Sequence, residues 1–213
     1  MTRIKFCGMR TSEDVAYAAE LGVDVLGFVL EPSSPRFVPP THPVRSFRGL
    51  APLTPFCGVM GRWVEGTDID RFEYVQCEDP LVSITSMRQL VAVRPEPGLN
   101  AVEVFKHLDN TWVQTETGTM IRYLPSTIVL DTFDPNVAGG TGRTGDWGLA
   151  AEICALKVFN VVLAGGLTPD NVARAIEAVH PYAVDVSSGI ESSPGVKDHA
   201  KMKDFVDAVK SVG

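Results

Sequence analysis

Two residues in this chain combine reactive chemistry with a position where a strand gives way to a loop. Cys7 closes the run "IKFC" and is followed at once by Gly8, while Asp131 closes "STIVLD". A thiol is a poor base at its free pKa of ~8.5 and needs a setting that stabilises the thiolate, such as oriented helix or backbone dipoles. An aspartic acid partly shielded from water beside an anionic ligand keeps its proton longer and can donate it. Cysteine as base and aspartate as acid is therefore a coherent division of labour for moving a proton across a sugar. The plain alternative for Cys7 is a small hydrophobe buried at a strand end. That alternative is the reading adopted for Cys57, Cys77 and Cys154.

Arg36, in "SSPRF", sits in a loop stiffened by Pro32 and Pro35. A guanidinium on a rigid loop suits bidentate capture of a carboxylate, the alternative being a solvated surface arginine. Gly165 and Gly166, in "LAGGLTPDNV", lie between a strand and a helix whose expected N-cap is Thr168, with Pro169 at the first helical position. Backbone without side chains can approach an anion, and a helix N-terminus supplies oriented N–H groups. Ser187, Ser188 and Gly189, in "DVSSGIE", offer a second such set, followed by a possible helical turn. Two loops of this kind after neighbouring strands read as a phosphate cradle, the alternative being glycines that only serve tight turns. "VAGGTGRTGDW" reads as a lid able to close over a ligand, the alternative being a disordered loop without function. His42, His107, His180 and His199 lie away from strand ends and are assigned no role.

The elements that must position these groups alternate regularly. "RIKFC", "VDVLGFVL", "TPFCGVM", "FEYVQCE", "STIVLDT", "FNVVLAGG" and "YAVDVSSG" read as strands. "TSEDVAYAAELG", "WGLAAEICAL", "TPDNVARAIEAV" and "KDHAKMKDFVDAVKSV" read as helices, and "THPVRSFRGLA" as a weak one. Between residues 79 and 125 the pattern is less regular. "SITSMRQLVAVRPEPG" fits a short helix and a strand, or one helix; "NAVEVFKHLDN" has helical spacing, and "TWVQTETGTMIRY" alternates like a strand or hairpin. About eight strand signals alternating with helices imply a parallel sheet with right-handed crossovers. Eight units in 213 residues fit a single-domain (β/α)8 barrel of the TIM type, spanning residues 1–213, better than an open sheet. In such a barrel Cys7, Asp131, the Arg36 loop, the two glycine and serine loops and the lid segment are expected to converge on one face.

With 45% hydrophobic and 21% charged residues, a sizeable core is expected. A net charge of −7 argues against a nucleic-acid or anionic-membrane surface, though not against a small local phosphate site. No apolar run reaches the ~20 residues of a membrane span, and no secretion signal opens the sequence, so a cytoplasmic location is expected. The four cysteines form no C-x-x-C pair and read as reduced thiols, not as a metal site.

Four stretches, "KFCGMRTSEDVAYAAELGVDVLGFVLEPSSPRFV", "VLDTFDPNVAGGTGRTGDW", "VLAGGLTPDNV" and "VDVSSGIESSPGVKD", resemble in order the motifs of the phosphoribosylanthranilate isomerase family of tryptophan biosynthesis. The similarity covers the first 40 residues or so and everything from about residue 127 onward. The resemblance implies a (β/α)8 barrel that converts N-(5-phosphoribosyl)anthranilate to 1-(2-carboxyphenylamino)-1-deoxyribulose 5-phosphate by an Amadori rearrangement, without cofactor or metal. By the same resemblance Cys7 is the general base at sugar C2 and Asp131 the general acid at the ring oxygen. Arg36 holds the anthranilate carboxylate, Asp185 contacts the ligand, and Gly165, Gly166, Ser187, Ser188 and Gly189 hold the phosphate. Gly8 is then expected to leave room for the substrate beside the thiol. The partner is a small molecule, and the chain a monomer or homodimer.

Departures lie in the middle. Where the family usually reads "VQLHG", this chain has "VQCEDP", with Glu78 and Asp79 in place of histidine and glycine. "CGVMGRW" stands where a "GVFVN"-like run is usual, and Arg94 aligns loosely with a basic residue often found after strand five. Two other readings stand beside the leading one. A histidine-pathway aminoaldose isomerase, or a dual-specificity enzyme, typically carries an aspartate where Cys7 stands. A silent phospho-ligand binder would keep the cradle and have no turnover.

Overall fold

The computed structural model describes residues 1–62, 66–78, 88–96, 98–114, 119–131 and 146–212. In chain order, β1 (Arg3–Phe6), α1 (Ser12–Glu20) and β2 (Val25–Val29) precede a 3-10 turn at Val44–Gly49. Next come β3 (Phe56–Val59), β4 (Tyr74–Cys77), β5 (Arg88–Val93) and α2 (Ala101–Asp109). After them run β6 (Trp112–Gln114), β7 (Met120–Arg122), β8 (Thr127–Asp131), α3 (Trp147–Ala155), β9 (Asn160–Ala164) and α4 (Val172–Val179). β10 (Ala183–Val186), a 3-10 turn at Ser188–Ile190, the short strands β11 (Glu191–Ser193) and β12 (Val196–Lys197), and α5 (His199–Lys210) complete the chain.

Eight strands form a closed barrel in the order β1-β10-β9-β8-β5-β4-β3-β2, every neighbouring pair parallel. The expected (β/α)8 architecture is thus present, and the ambiguous stretch before Arg94 resolves as the strand β5, "RQLVAV". β6 and β7 pair antiparallel outside the barrel, as the alternation in "TWVQTETGTMIRY" suggested. No described helix is long and apolar enough to cross a membrane.

The period of two along each strand divides the molecule into two apolar layers. Ile4, Phe6, Leu26, Phe28, Ile128, Leu130, Leu163, Val184 and Val186 join helix residues such as Val15, Ala175, Ile176, Met202 and Phe205 in the main core. Phe6 meets Phe205 edge-on at 6.0 Å, which seats α5 against β1. Burying one such phenylalanine contributes about 1.5–3 kcal/mol. Alternate strand residues face the barrel axis, where Cys57, Leu90, Val129, Val162, Ala164 and Ala183 form a separate small cluster. Lys5, Cys7 and Asp185 belong to this inward set, so a polar pair and a thiol share the axis with aliphatic residues.

Helix starts follow ordinary capping chemistry with one exception. The Thr11 side chain accepts from the Asp14 amide at α1, and the Asp198 side chain from the Ala200 and Lys201 amides at α5. At α4 the helix begins at Val172 with Asn171 as N-cap, three residues beyond the expected N-cap at Thr168. The Asn171 side chain explains the shift: it accepts from the Thr168 amide at 2.8 Å and donates to the Gly166 carbonyl at 2.9 Å. "TPDN" is thereby held as a turn that braces the glycine pair.

Candidate active site

The carboxyl ends of the barrel strands surround a cavity of about 230 Å3. Cys7, Asp131, Gly165, Gly166, Asp185, Ser187 and Ser188 all line it, together with Gln76 and Arg94. Seven of the nine residues singled out in the sequence therefore meet at one place. The other two, Arg36 and Gly189, stand just outside it.

Cys7 follows β1, and its amide donates to the Val186 carbonyl at 2.9 Å, tying it to the end of β10. Its residue is only 8% exposed. Burial pushes the thiol up and Asp185 adds to the rise, while Lys5, Lys197 and Arg36 pull the other way. Beneath it lies a buried ion pair, Lys5 Nζ to Asp185 Oδ2 at 2.9 Å. Burial works against charge on Lys5, but Asp185 and the neighbouring thiols outweigh it and hold the ammonium above its ordinary range. Gly27 leaves the space both groups need: a β-carbon there would stand 3.1 Å from Cys7 Sγ and 3.3 Å from Lys5 Nζ.

Asp131 ends β8, separated from β1 by β9 and β10, so the two reactive groups face one cavity from different sides. Arg94 Nε donates to Asp131 Oδ2 at 3.1 Å and Nη1 to Glu78 Oε1 at 3.3 Å. The loosely aligned Arg94 and the divergent Glu78 thus join the rim on the side of Asp131. Asp79 and the lid sequence "AGGTGRTG" fall outside the described residues.

The glycine pair adopts left-handed backbone, φ +90° at Gly165 and +64° at Gly166, a conformation that side chains resist. Because α4 starts only at Val172, the loop's own backbone, not a helix terminus at Thr168, faces the cavity. Gly189 stands behind the lining. A β-carbon on it would lie 1.9 Å from the Leu167 carbonyl oxygen, so its bareness lets the β9 and β10 loops touch.

Three buried polar atoms around this cavity have no hydrogen-bond partner among the described residues: Asp185 Oδ1, Ser187 Oγ and Gln76 Oε1. An unsatisfied buried polar group costs about 1–3 kcal/mol, so three at one cavity mark a place built for a polar ligand.

Arg36 does not line the cavity. Its Nε and Nη2 form a bidentate pair with Glu191, at 2.8 and 2.7 Å, which leaves the Nη1 edge of the guanidinium for a second carboxylate. Its aliphatic stem fills the space beside Gly8, where a β-carbon would stand 2.6 Å from Arg36 Cδ. Gly8, at φ +78°, therefore makes room for the arginine stem and for Ser187 Oγ, 3.1 Å from such a β-carbon. Glu191 and Lys197 were not singled out from the sequence. The signal was there, since "ESSPGVK" has the turn residues of a hairpin with opposite charges at its ends. Lys5 was legible too, because it shares an alternating face with Cys7.

The described residues contain no group of three or more His, Cys, Asp or Glu side chains able to hold a metal ion.

Comparison with known proteins agrees with this geometry. The sequence model described as N-(5'phosphoribosyl)anthranilate (PRA) isomerase matches residues 99–208. The N-(5'-phosphoribosyl)anthranilate isomerase of Geobacter metallireducens is 37% identical, over 99% of this chain and 100% of that protein. The crystal structure of phosphoribosyl anthranilate isomerase from Thermotoga maritima is similar with a TM-score of 0.77 and 32% identity, covering 99% of this chain and 100% of that one. Another solved phosphoribosyl anthranilate isomerase, in complex with reduced 1-(o-carboxyphenylamino)-1-deoxyribulose 5-phosphate, gives 0.74 and 31% over the same shares. With the barrel, the paired loops and the inward thiol and carboxylate already in view, these matches fix the lineage: the chain belongs to the N-(5'-phosphoribosyl)anthranilate isomerase family of enzymes.

Proposed function

We propose that this chain isomerises N-(5-phosphoribosyl)anthranilate to 1-(2-carboxyphenylamino)-1-deoxyribulose 5-phosphate, a step of tryptophan biosynthesis, with Asp131 as general acid and Cys7 as general base. Asp131 protonates the ring oxygen as the C1–O bond breaks, and the nitrogen lone pair forms the C1=N bond of an open iminium. The Cys7 thiolate then removes the C2 proton, and those electrons neutralise the iminium to give an enolamine. Ketonisation of the enolamine yields the aminoketose. The cation created in the first step favours the thiolate needed in the second, which offsets the burial that holds the free thiol protonated.

Binding follows the same geometry. The phosphate takes backbone N–H groups of the Gly165–Gly166 and Ser187–Ser188 loops and the unpartnered Ser187 hydroxyl. Asp185 Oδ1 accepts from a sugar hydroxyl, and the open edge of Arg36 takes the anthranilate carboxylate.

The observation that carries this reading is the convergence of Cys7 and Asp131 on a cavity with three unpartnered polar atoms. The test is a fluorescence assay of phosphoribosylanthranilate loss with wild type, Cys7→Ser and Asp131→Asn. Loss of general acid or base catalysis lowers kcat by about 10²–10⁴-fold, while affinity for the reduced product analogue persists. Turnover near wild type in either variant rejects the assignment of that residue.

A further inference from the structure

Glu191 and Lys197 take no part in the chemistry above, yet they lie where three of its residues are held. The Lys197 side chain is fully buried and donates to three acceptors: the Cys7 carbonyl at 2.7 Å, the Ser187 carbonyl at 3.0 Å and Glu191 Oε1 at 2.9 Å. Glu191 in turn grips one edge of Arg36 with both oxygens. Burial alone would raise the Glu191 carboxyl, but Arg36 and Lys197 reverse this and hold it below the usual carboxylate range. The β11–β12 hairpin that carries the pair, with Glu191 opposite Lys197, also docks on the arginine's own loop. At its tip Gly195 leaves no room for a side chain, since a β-carbon there would stand 2.7 Å from the Pro35 carbonyl oxygen. A single buried charge chain thus connects the backbone of the proposed base, the backbone of the phosphate loop and the guanidinium aimed at the substrate carboxylate.

We propose that Glu191 and Lys197 are positioning residues: Glu191 presents only one edge of Arg36 to the ligand, Lys197 fixes that assembly to Cys7 and Ser187, and the preference for an N-aryl group bearing a carboxylate is set through Glu191. The proposal rests on the roles given to Arg36 and Cys7 above. Both residues are needed because a lone buried charge in this place is strongly unfavourable, whereas the +1 trio of Arg36, Glu191 and Lys197 is internally paired and still attracts an anion.

The experiment compares kcat and KM for N-(5-phosphoribosyl)anthranilate and for N-(5-phosphoribosyl)aniline, which lacks the carboxylate. The proteins are wild type, Glu191→Gln, Arg36→Met, Lys197→Met and Lys197→Arg. In wild type, loss of the carboxylate lowers kcat/KM by about 10²-fold or more. Glu191→Gln keeps the shape and compresses that ratio to about 10-fold, mainly through KM for the anthranilate substrate. Lys197→Met lowers kcat for both substrates, and Lys197→Arg recovers part of it. If Lys197→Met does not fold, Glu191→Gln decides. A Glu191→Gln protein that loses activity equally on both substrates, or on neither, overturns the proposal while leaving the proposed reaction intact. If wild type does not discriminate, or Arg36→Met still does, the reading of Arg36 is wrong and the proposal falls with it.

Discussion

Replacing Gly189 by alanine isolates the contact that joins the two loops of the proposed phosphate cradle. The new β-carbon would stand 1.9 Å from the Leu167 carbonyl oxygen, 1.5 Å inside the 3.4 Å at which ordinary contact begins. It would also meet Leu167 C at 3.0 Å and Thr168 Cα at 3.1 Å. All three are backbone atoms, so no side-chain rotation relieves the overlap, and the loops must part by about an ångström or more. Overpacking of this kind costs about 1–3 kcal/mol. At 2–4 °C per kcal/mol for a chain of this size, the thermal midpoint should fall by roughly 2–12 °C. A displacement of about 1 Å in a positioning element can cost about 10²-fold in rate. Since the parting occurs between the proposed phosphate loops, the loss should appear first in KM and in competition by inorganic phosphate. Steady-state fluorescence kinetics with a phosphate titration measures both. A Gly189→Ala protein with phosphate affinity within twofold of wild type and an unchanged midpoint would refute the account of this contact.

Other consequences follow from the inward residues. Burial raises the Cys7 thiol and the thiolate is the reactive form, so kcat/KM should still be climbing with pH beyond the ordinary thiol range, a limb that Cys7→Ser lacks. Burial pushes Cys57 from 9.0 to about 12; the folded state keeps a proton the unfolded chain releases, so stability is full below pH 9 and declines towards pH 12. Denaturant titrations of Cys57→Val should show a flatter alkaline slope. Gly27→Ala, whose β-carbon touches Cys7 Sγ and Cα at 3.1 Å, should displace the thiol by tenths of an ångström, lowering kcat about 10-fold with only a few degrees lost in midpoint. Lys5→Met strands the Asp185 carboxylate in the barrel and should cost about 3–5 kcal/mol by chemical denaturation, whereas Lys5→Met/Asp185→Leu should recover most of that.

Much of this was legible in sequence because barrel strands impose a strict period. The apolar runs ending in Cys7, Asp131, Gly166 and Ser187 announce both a strand and the face on which its last residue emerges. Side-chain bonds between distant segments are not announced in that way. Asn171 moves the start of α4 by competing for the Thr168 amide and the Gly166 carbonyl, a local preference that propensity for Thr-Pro at a helix start does not capture. Arg36 was recognisable as a carboxylate binder, but its first carboxylate is Glu191, 155 residues away. Such a pairing is a property of the closed barrel, invisible to any window on the sequence.

The bond from Lys197 to the Cys7 carbonyl spans 190 residues, and that from Lys5 to Asp185 spans 180. During translation Cys7 leaves the ribosome long before either partner exists, so β1 waits with one edge unpaired and its thiol uncovered. Closure of the seam between β1 and β10 is the event that both completes the barrel and buries the sulfur. A nascent or truncated chain that stops short of β10, at residue 183, therefore exposes a sticky edge and an oxidisable cysteine together.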